Sequence, residues 1–479
     1  MKKYNICIKR SISLLLFVCV LAGCLWWMNR VLIPKRTDGI TTMQNLYEQE
    51  ENTIDVLLLG SSHSGMNFDT ALLWENFGMS GYALWGSVQP FWNSYFSLKE
   101  ALKTQSPTVV VLDTYAAAVA REHSDYPRQV TNVSGMKFSI NKLEAICVSA
   151  YFDRWDDLLL GLPLYHQRYA SLSENDFEHF PSSEGLINDK GSSYRYGSGD
   201  VGLVDVSEIE ECGEIYEKQE KYLIKIIELC KENNLPLVLT ASPTGKRTEE
   251  QPYYNSVAEI AESYGIEFIN FNLMDEELKL VDEDYWTDND HLNTNGSRKI
   301  TQYLGEYLKS NYDIADRRGD ARYSSWNINA LNARQEYFKL ITKTGDYFNE
   351  IKRYNLELVV VKNTDEAVSE SVMTQLAQMG INVEEFNDSA QGVWKLKCVD
   401  GVYSAENYDV NENEAEYTSC SENGKVIFDG GNITVSGSAD NSFESDKAIV
   451  FLAYDSECEE WYDYAVLTQG NSGSVKHIA

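Results

Sequence analysis

Positive charge is scarce in this chain: Lys and Arg number 41 against 73 Asp and Glu, a formal net charge of −32 over 479 residues. No Lys/Arg-rich run occurs beyond the N-terminus. Neutralising a phosphate backbone needs a basic face, so nucleic acid is excluded as a partner. Cysteine pairing motifs are also missing. The nine cysteines contain no CxxC, which excludes the common zinc patterns and a dense disulfide framework. They read mostly as small buried apolar residues, with a bridge among Cys398, Cys420 and Cys458 left open. Of the six histidines, His123, His166 and His179 fall in one stretch without metal-ligand spacing, so no metal and no cofactor is expected. Composition does not suggest disorder: 43% of residues are hydrophobic and 12% aromatic.

One long apolar run is present. Lys2, Lys3, Lys9 and Arg10 precede residues 11–28 (SISLLLFVCVLAGCLWWM), which carry no charge. With Val31 to Ile33 beyond it, this stretch suffices to cross a bilayer, and Trp26 and Trp27 suit an aromatic belt. The charge bias keeps the N-terminus cytoplasmic and places the body outside. Residues 1–34 therefore read as a basic tip and signal anchor, and 35–52 as a linker. Leu21-Ala22-Gly23-Cys24 also resembles a lipoprotein lipobox, with Cys24 as the lipidation site. The apolar continuation Leu25-Trp26-Trp27-Met28 favours an uncleaved anchor, and ordinary cleavage is a third alternative.

Residues 53–312 alternate strand and helix patterns. Unbroken apolar runs at 54–59 (IDVLLL), 108–112 (TVVVL), 235–240 (LPLVLT) and 266–271 (IEFINF) read as strands buried on both faces. Leu223, Ile226, Ile227 and Cys230 repeat at helical spacing, as do Ile300, Tyr303, Leu304, Tyr307 and Leu308. The pattern predicts a doubly wound α/β domain with a parallel sheet. An insertion at 116–208, with a helix near 136–147, leaves the C-terminal end of a strand. Sites form at such ends, so the insertion is placed to roof one. From 330 to 479 a helix of roughly twenty residues (331–354), a strand at 356–361, a helical stretch ending at Gly380 and several short β runs predict an α+β or β-rich domain.

Gly60-Ser61-Ser62-His63 directly follows the first buried strand, and Asp288-Asn289-Asp290-His291 precedes the final helix of the alternation. A serine hydroxyl becomes nucleophilic when a nearby base takes its proton and a carboxylate orients that base. Ser62, His291 and Asp288 are the residues for those roles. His63 is either a second site residue or a helix-cap neighbour.

These residues resemble the SGNH/GDSL hydrolase superfamily. The resemblance rests on the serine after the first strand and on the block Tyr285-Trp286-Thr287-Asp288-Asn289-Asp290-His291-Leu292-Asn293, with Gly296 opening a helix. It covers about residues 50–310 and implies Ser62, not Ser61, as nucleophile, with Asp288 and His291 completing a triad. It also implies backbone oxyanion donors at Ser62 and Gly86. Three departures stand out. Ser61 replaces the commoner Asp, a Trp stands near where the second-block Gly would align, and Asp113-Thr114-Tyr115 occupies the place of the usual Asn, making Asp113 an accessory residue at most. The pattern is similar to divergent membrane-anchored bacterial members acting in polysaccharide O-acetylation and teichoic-acid D-alanylation. It implies an extracytoplasmic esterase or O-acyltransferase on a cell-envelope glycan, or alternatively an inactive scaffold or carbohydrate-binding protein. The charge of −32 adds an expectation that a neutral or amino-sugar glycan is the acceptor, although salt screening leaves local charge decisive. The C-terminal segment is faintly similar to the β-rich domain of interleukin-like EMT inducer proteins, which implies carbohydrate binding.

Overall fold

The computed structural model describes residues 2–32, 38–119, 121–160, 166–172, 175–178, 190–365, 368–399, 401–408, 415–417, 425–429, 432–436, 441–444, 449–456, 460–468 and 474–477. His179, Cys420 and Cys458 lie outside them. The chain divides into two units, Met1–Ala330 and Leu331–Ala479.

The first unit begins with a helix, Lys2–Leu32. Its window Lys9–Met28 has a mean hydropathy of 2.2 and no part of it is buried, so it is long and apolar enough to span a membrane. The body is built on five parallel strands: β1 (Val56–Gly60), β2 (Gly81–Trp85), β3 (Val109–Asp113), β4 (Leu237–Ala241) and β5 (Glu267–Asn270). Their order is β2-β1-β3-β4-β5. The chain winds outward from β1 to β2, then returns past β1 and continues the other way, so a crevice opens at the β1/β3 switch point. Every residue of β1 to β4 is buried, as unbroken apolar runs require when both faces are covered. One face packs Val56, Leu58, Val111 and Val238 against Ile300, Leu304 and Leu308 of the helix Thr294–Asn311. Each such side chain contributes roughly 1.5–3 kcal/mol by leaving water.

Four strands match the apolar runs to within two residues at either end, but β5 is not buried on both faces as expected, since it lies at the sheet edge with Glu267 exposed. The strand β2 is not apparent in the sequence. Gly-Tyr-Ala-Leu-Trp has neither a β-branched residue nor a bounding proline. It is a strand because Gly81 to Trp85 pair in register with Val56 to Gly60. The insertion's helix runs Ile140–Ser149, with Ser139 as its N-cap. The cysteines depart from expectation. Cys230 is buried, but Cys147 and Cys212 are exposed and Cys398 is half-buried. Cys147 sits on an outward position of its short helix, and Cys212 in an extended connection with little packed over it.

The second unit holds a six-stranded antiparallel sheet, ordered β15-β14-β13-β6-β7-β8, and a four-stranded one, β12-β11-β10-β9. In chain order the strands are β6 (Glu357–Asn363), β7 (Gln391–Val399), β8 (Val402–Tyr408), β9 (Ala415–Tyr417), β10 (Lys425–Asp429), β11 (Asn432–Ser436), β12 (Asn441–Glu444), β13 (Ile449–Asp455), β14 (Glu460–Thr468) and β15 (Ser474–His477). Period-two alternation explains the layers. Leu358, Val360 and Phe451 face the helices Thr344–Arg353 and Glu370–Gln378, while Val359, Val361, Val450 and Leu452 face Val426, Ile433 and Val435 of the smaller sheet. The single helix expected at 331–354 is two helices, Ser324–Phe338 and Thr344–Arg353. The break arises where Lys343 bridges to Ser474 and Val475 N–H donates to the Thr342 carbonyl, pairing that segment with β15.

Candidate active site

β1 ends at Gly60, whose φ of +143° is a conformation that L side chains rarely adopt. A Cβ there would fall 2.8 Å from both Asp113 Cβ and Ser64 Oγ. This sharp exit leads straight into the short helix Ser62–Met66, with Ser61 as N-cap. The two serines then diverge. Ser61 Oγ donates to Asp113 Oδ2 at 2.5 Å and its N–H donates to the same oxygen at 3.2 Å. Ser62 Oγ lies 2.7 Å from His291 Nε2.

His291 is held by the loop before the helix Thr294–Asn311. Trp286 N–H donates to the His291 carbonyl at 2.8 Å, Leu292 N–H donates to Asn67 Oδ1 at 3.0 Å, and Asn293 caps the helix. Gly296 sits inside the first turn, not at its opening, and its N–H donates to the capping Asn293 Oδ1 at 3.1 Å. His291 Nδ1 lies 2.7 Å from Asp288 Oδ2. Asp288 Oδ1 accepts from the N–H groups of Asp290 at 3.0 Å and His291 at 3.1 Å. Burial opposes ionisation of Asp288, but the His291 hydrogen bond and charge and these two amides outweigh it, holding the carboxyl below its ordinary range. An ionised Asp288 accepts a hydrogen bond from Nδ1–H and so fixes the proton on that nitrogen, which leaves Nε2 as an acceptor for the Ser62 hydroxyl. Ser62, His291 and Asp288 thus form one continuous hydrogen-bonded chain.

His63 is buried beside this chain and lines the cavity onto which Ser62 and His291 open. Its Nε2 donates to the Asp290 carbonyl at 3.1 Å, and its ring meets His291 edge-on with centroids 4.9 Å apart. Burial, and then the nearby His291 charge, drive its pKa well below the ordinary value, so it stays neutral. Its Nδ1 has no hydrogen-bond partner and stands 3.8 Å from Asp113 Oδ1. Asp113 also accepts from Tyr115 N–H, and burial pushes its carboxyl up to about 6 against the opposing bonds from Ser61 and Tyr115. Asp113 therefore braces the Ser61 turn and does not point toward the reacting atoms.

Gly86 is a correction. Its N–H, expected as an oxyanion donor, instead donates to the Gly60 carbonyl at 3.3 Å. The residue does not line the cavity, although its neighbours Trp85, Ser87 and Val88 do. The geometric reason is that the bond extends the β1/β2 ladder by one residue beyond the Gly60–Trp85 pair. The Ser62 N–H, by contrast, is committed to no partner among the described residues.

Ser62 and His291 open onto a cavity of about 670 Å³, a size that suits a small ligand or a sugar unit or two. Tyr115, Arg128, Arg195 and Lys246 also line it, and none of these was singled out from the sequence. Lys246 follows β4 at the sheet's C-terminal edge, where sites form, and that position was the available signal. Arg128 and Arg195 come from the insertion, which thus contributes walls to the cavity. Among the described residues no group of His, Cys, Asp and Glu could hold a metal ion. No family model matches this sequence, and no curated protein matches it.

Proposed function

We propose that this chain is a membrane-anchored, extracytoplasmic serine esterase or O-acyltransferase of the SGNH/GDSL type, acting on a cell-envelope glycan. The observation that carries this reading is the relay from Ser62 Oγ through His291 to Asp288, with both links at 2.7 Å. Ser62 attacks the ester carbonyl as His291 Nε2 takes its proton, and Asp288 stabilises the imidazolium. The Ser62 N–H is available to the developing oxyanion. His291 then returns the proton to the departing alkoxide, leaving an acyl-serine. Water or a glycan hydroxyl, deprotonated by the same imidazole, releases the acyl group. The apolar N-terminal helix, with basic residues before it, supports anchoring with the catalytic unit outside the cytoplasm.

A second reading, a scaffold or carbohydrate-binding protein of weak activity, is favoured by the commitment of the Gly86 amide to Gly60. Turnover separates the two. The full chain in detergent micelles, offered a small aryl acetate, should release the phenol with saturable kinetics. Release no faster than in buffer would leave only the scaffold reading.

A further inference from the structure

Three cationic side chains line the cavity beside Ser62 and His291, which is unexpected in so acidic a protein. Two are already neutralised: Arg128 pairs with Asp125, and Lys246 pairs with Asp290 at 2.6 Å. Arg195 is different. No described carboxylate lies within 4.0 Å of its guanidinium. Nη1 donates to Ser193 Oγ at 2.7 Å and to the Tyr194 carbonyl at 3.1 Å. Nη2 donates to nothing among the described residues, and Nε is buried without an acceptor. The guanidinium lies 5.2 Å from the centroid of the Trp286 ring. Burial lowers its basicity, against the opposing pull of Asp288, Tyr196 and Asp38. A half-buried cation with unmet donors is costly to keep unless something else completes it.

Arg195 is also held in place before any ligand arrives. Upstream, Ser193 N–H donates at 2.7 Å to the carbonyl of Gly65, in the helix that carries Ser62. The Arg195 carbonyl accepts from Thr294 N–H and Thr294 Oγ1, both at 2.9 Å, next to the loop that carries His291. Downstream, Gly199 N–H donates to the Tyr285 carbonyl at 2.7 Å. Further back, Gly191 at φ +84° lets the strand edge approach so closely that a Cβ would fall 2.0 Å from the Ala83 carbonyl oxygen. The segment is stitched to both halves of the catalytic relay, so its cation is fixed relative to the nucleophile.

We propose that Arg195 binds a single anionic group of the substrate, a carboxylate or a phosphodiester, so that this site acts on an acidic glycan and not a neutral one. The proposal rests on the esterase reading above and departs from the expectation that net charge sets. At about 8 Å of screening length the distributed surface charge is weak, whereas a guanidinium in the cavity wall is not. A guanidinium fork matches a carboxylate or phosphate in two parallel hydrogen bonds. One unpaired cation suits one negative charge per sugar unit, with no second to neutralise a dianion.

The test offers the full chain in micelles O-acetylated oligogalacturonate, O-acetylated xylo-oligosaccharide and O-acetylated glycerol-phosphate oligomers, with Arg195→Gln and Arg195→Lys alongside. The wild type should favour one of the two anionic substrates over the neutral one in kcat/KM, mainly through KM. Which of the two it favours separates carboxylate from phosphate. Arg195→Gln should lower that preference by about tenfold to a hundredfold, and Arg195→Lys should restore part of it. If the wild type turns over esters but prefers the neutral substrate, or Arg195→Gln keeps the preference, the proposal is overturned and the esterase reading stands. If nothing is turned over, the esterase reading fails instead. Calorimetric binding of the deacetylated oligomers then decides the Arg195 claim: affinity that is lost in Arg195→Gln supports it, and equal affinity overturns it.

Discussion

The hydroxyl of Ser61 donates to Asp113 Oδ2 at 2.5 Å, and that one contact separates the functions of two adjacent serines. Ser61 is fixed to the end of β3, while the next hydroxyl reaches a histidine 229 residues away. The pair makes a clean experiment. Ser62→Ala should lower aryl-acetate turnover by about 10⁴-fold without moving the melting temperature much. Ser61→Ala should keep a substantial share of the rate but lose roughly 1–3 kcal/mol of stability, because a buried carboxyl loses its donor. Steady-state kinetics and thermal melts on both variants check this; the reverse pattern would move the nucleophile to Ser61.

Asp288 accepts from His291 Nδ1 and from two backbone amides, so replacing its charge should leave the loop largely in place. Asp288→Asn presents an amide that can favour the wrong imidazole tautomer. The expected loss in kcat is about 10³- to 10⁴-fold with little change in KM. A loss confined to KM would mean that Asp288 binds substrate and does not orient the base.

Burial raises the Asp113 carboxyl to about 6, above an unfolded value near ~3.9. The folded state therefore holds a proton that the unfolded chain has released. The associated stability is fully present below ~3.9 and is lost as pH rises through about 6. Two pH units correspond to a contribution on the order of 2–3 kcal/mol. Asp113→Asn should consequently destabilise most near pH 4 and less at pH 7.5, read from denaturant midpoints of variant and wild type. A destabilisation that grows with pH would show that the carboxylate form is the one the fold prefers.

In the second unit His477 Nδ1 lies 2.8 Å from Asp463 Oδ1, and its Nε2 donates to the Ile341 carbonyl at 2.7 Å. Burial disfavours its charge, but the bonds to Asp463 and Ile341 prevail, and its pKa is raised. Its contribution is present below the ordinary imidazole value of ~6.5 and fades as pH climbs through the raised one. His477→Gln should thus lower the melting temperature more at pH 6 than at pH 9. An equal effect at both values would make the residue a packing contact only.

The relay was legible because its residue types have few other uses in that arrangement: a serine at the end of a buried strand, and an Asp-x-x-His before a capped helix. Three of the parallel strands were legible for the same kind of reason, since apolar runs such as residues 108–112 demand cover on both faces, while β5 was placed correctly although it lies partly exposed at the sheet edge. The strand Gly81–Trp85 was not, because its composition is neutral and only pairing with β1 makes it a strand. The role of Gly86 was not legible because its amide's direction is set by the neighbouring ladder, which spacing does not reveal. Arg195 was not legible because its position depends on two long-range links, the hydrogen bond from Ser193 N–H to Gly65 and those from Thr294 to its own carbonyl, which span about 128 and 99 positions of the chain.

The most direct measurement is the site of reaction with a fluorophosphonate, which needs an activated serine but no knowledge of the substrate. The full chain in micelles is treated with the probe, digested and mapped by mass spectrometry. The account predicts one phosphonylated residue, Ser62, with labelling abolished in Ser62→Ala and strongly slowed in His291→Ala. A folded wild-type protein that stays unlabelled, or that is labelled equally fast in His291→Ala, would contradict it.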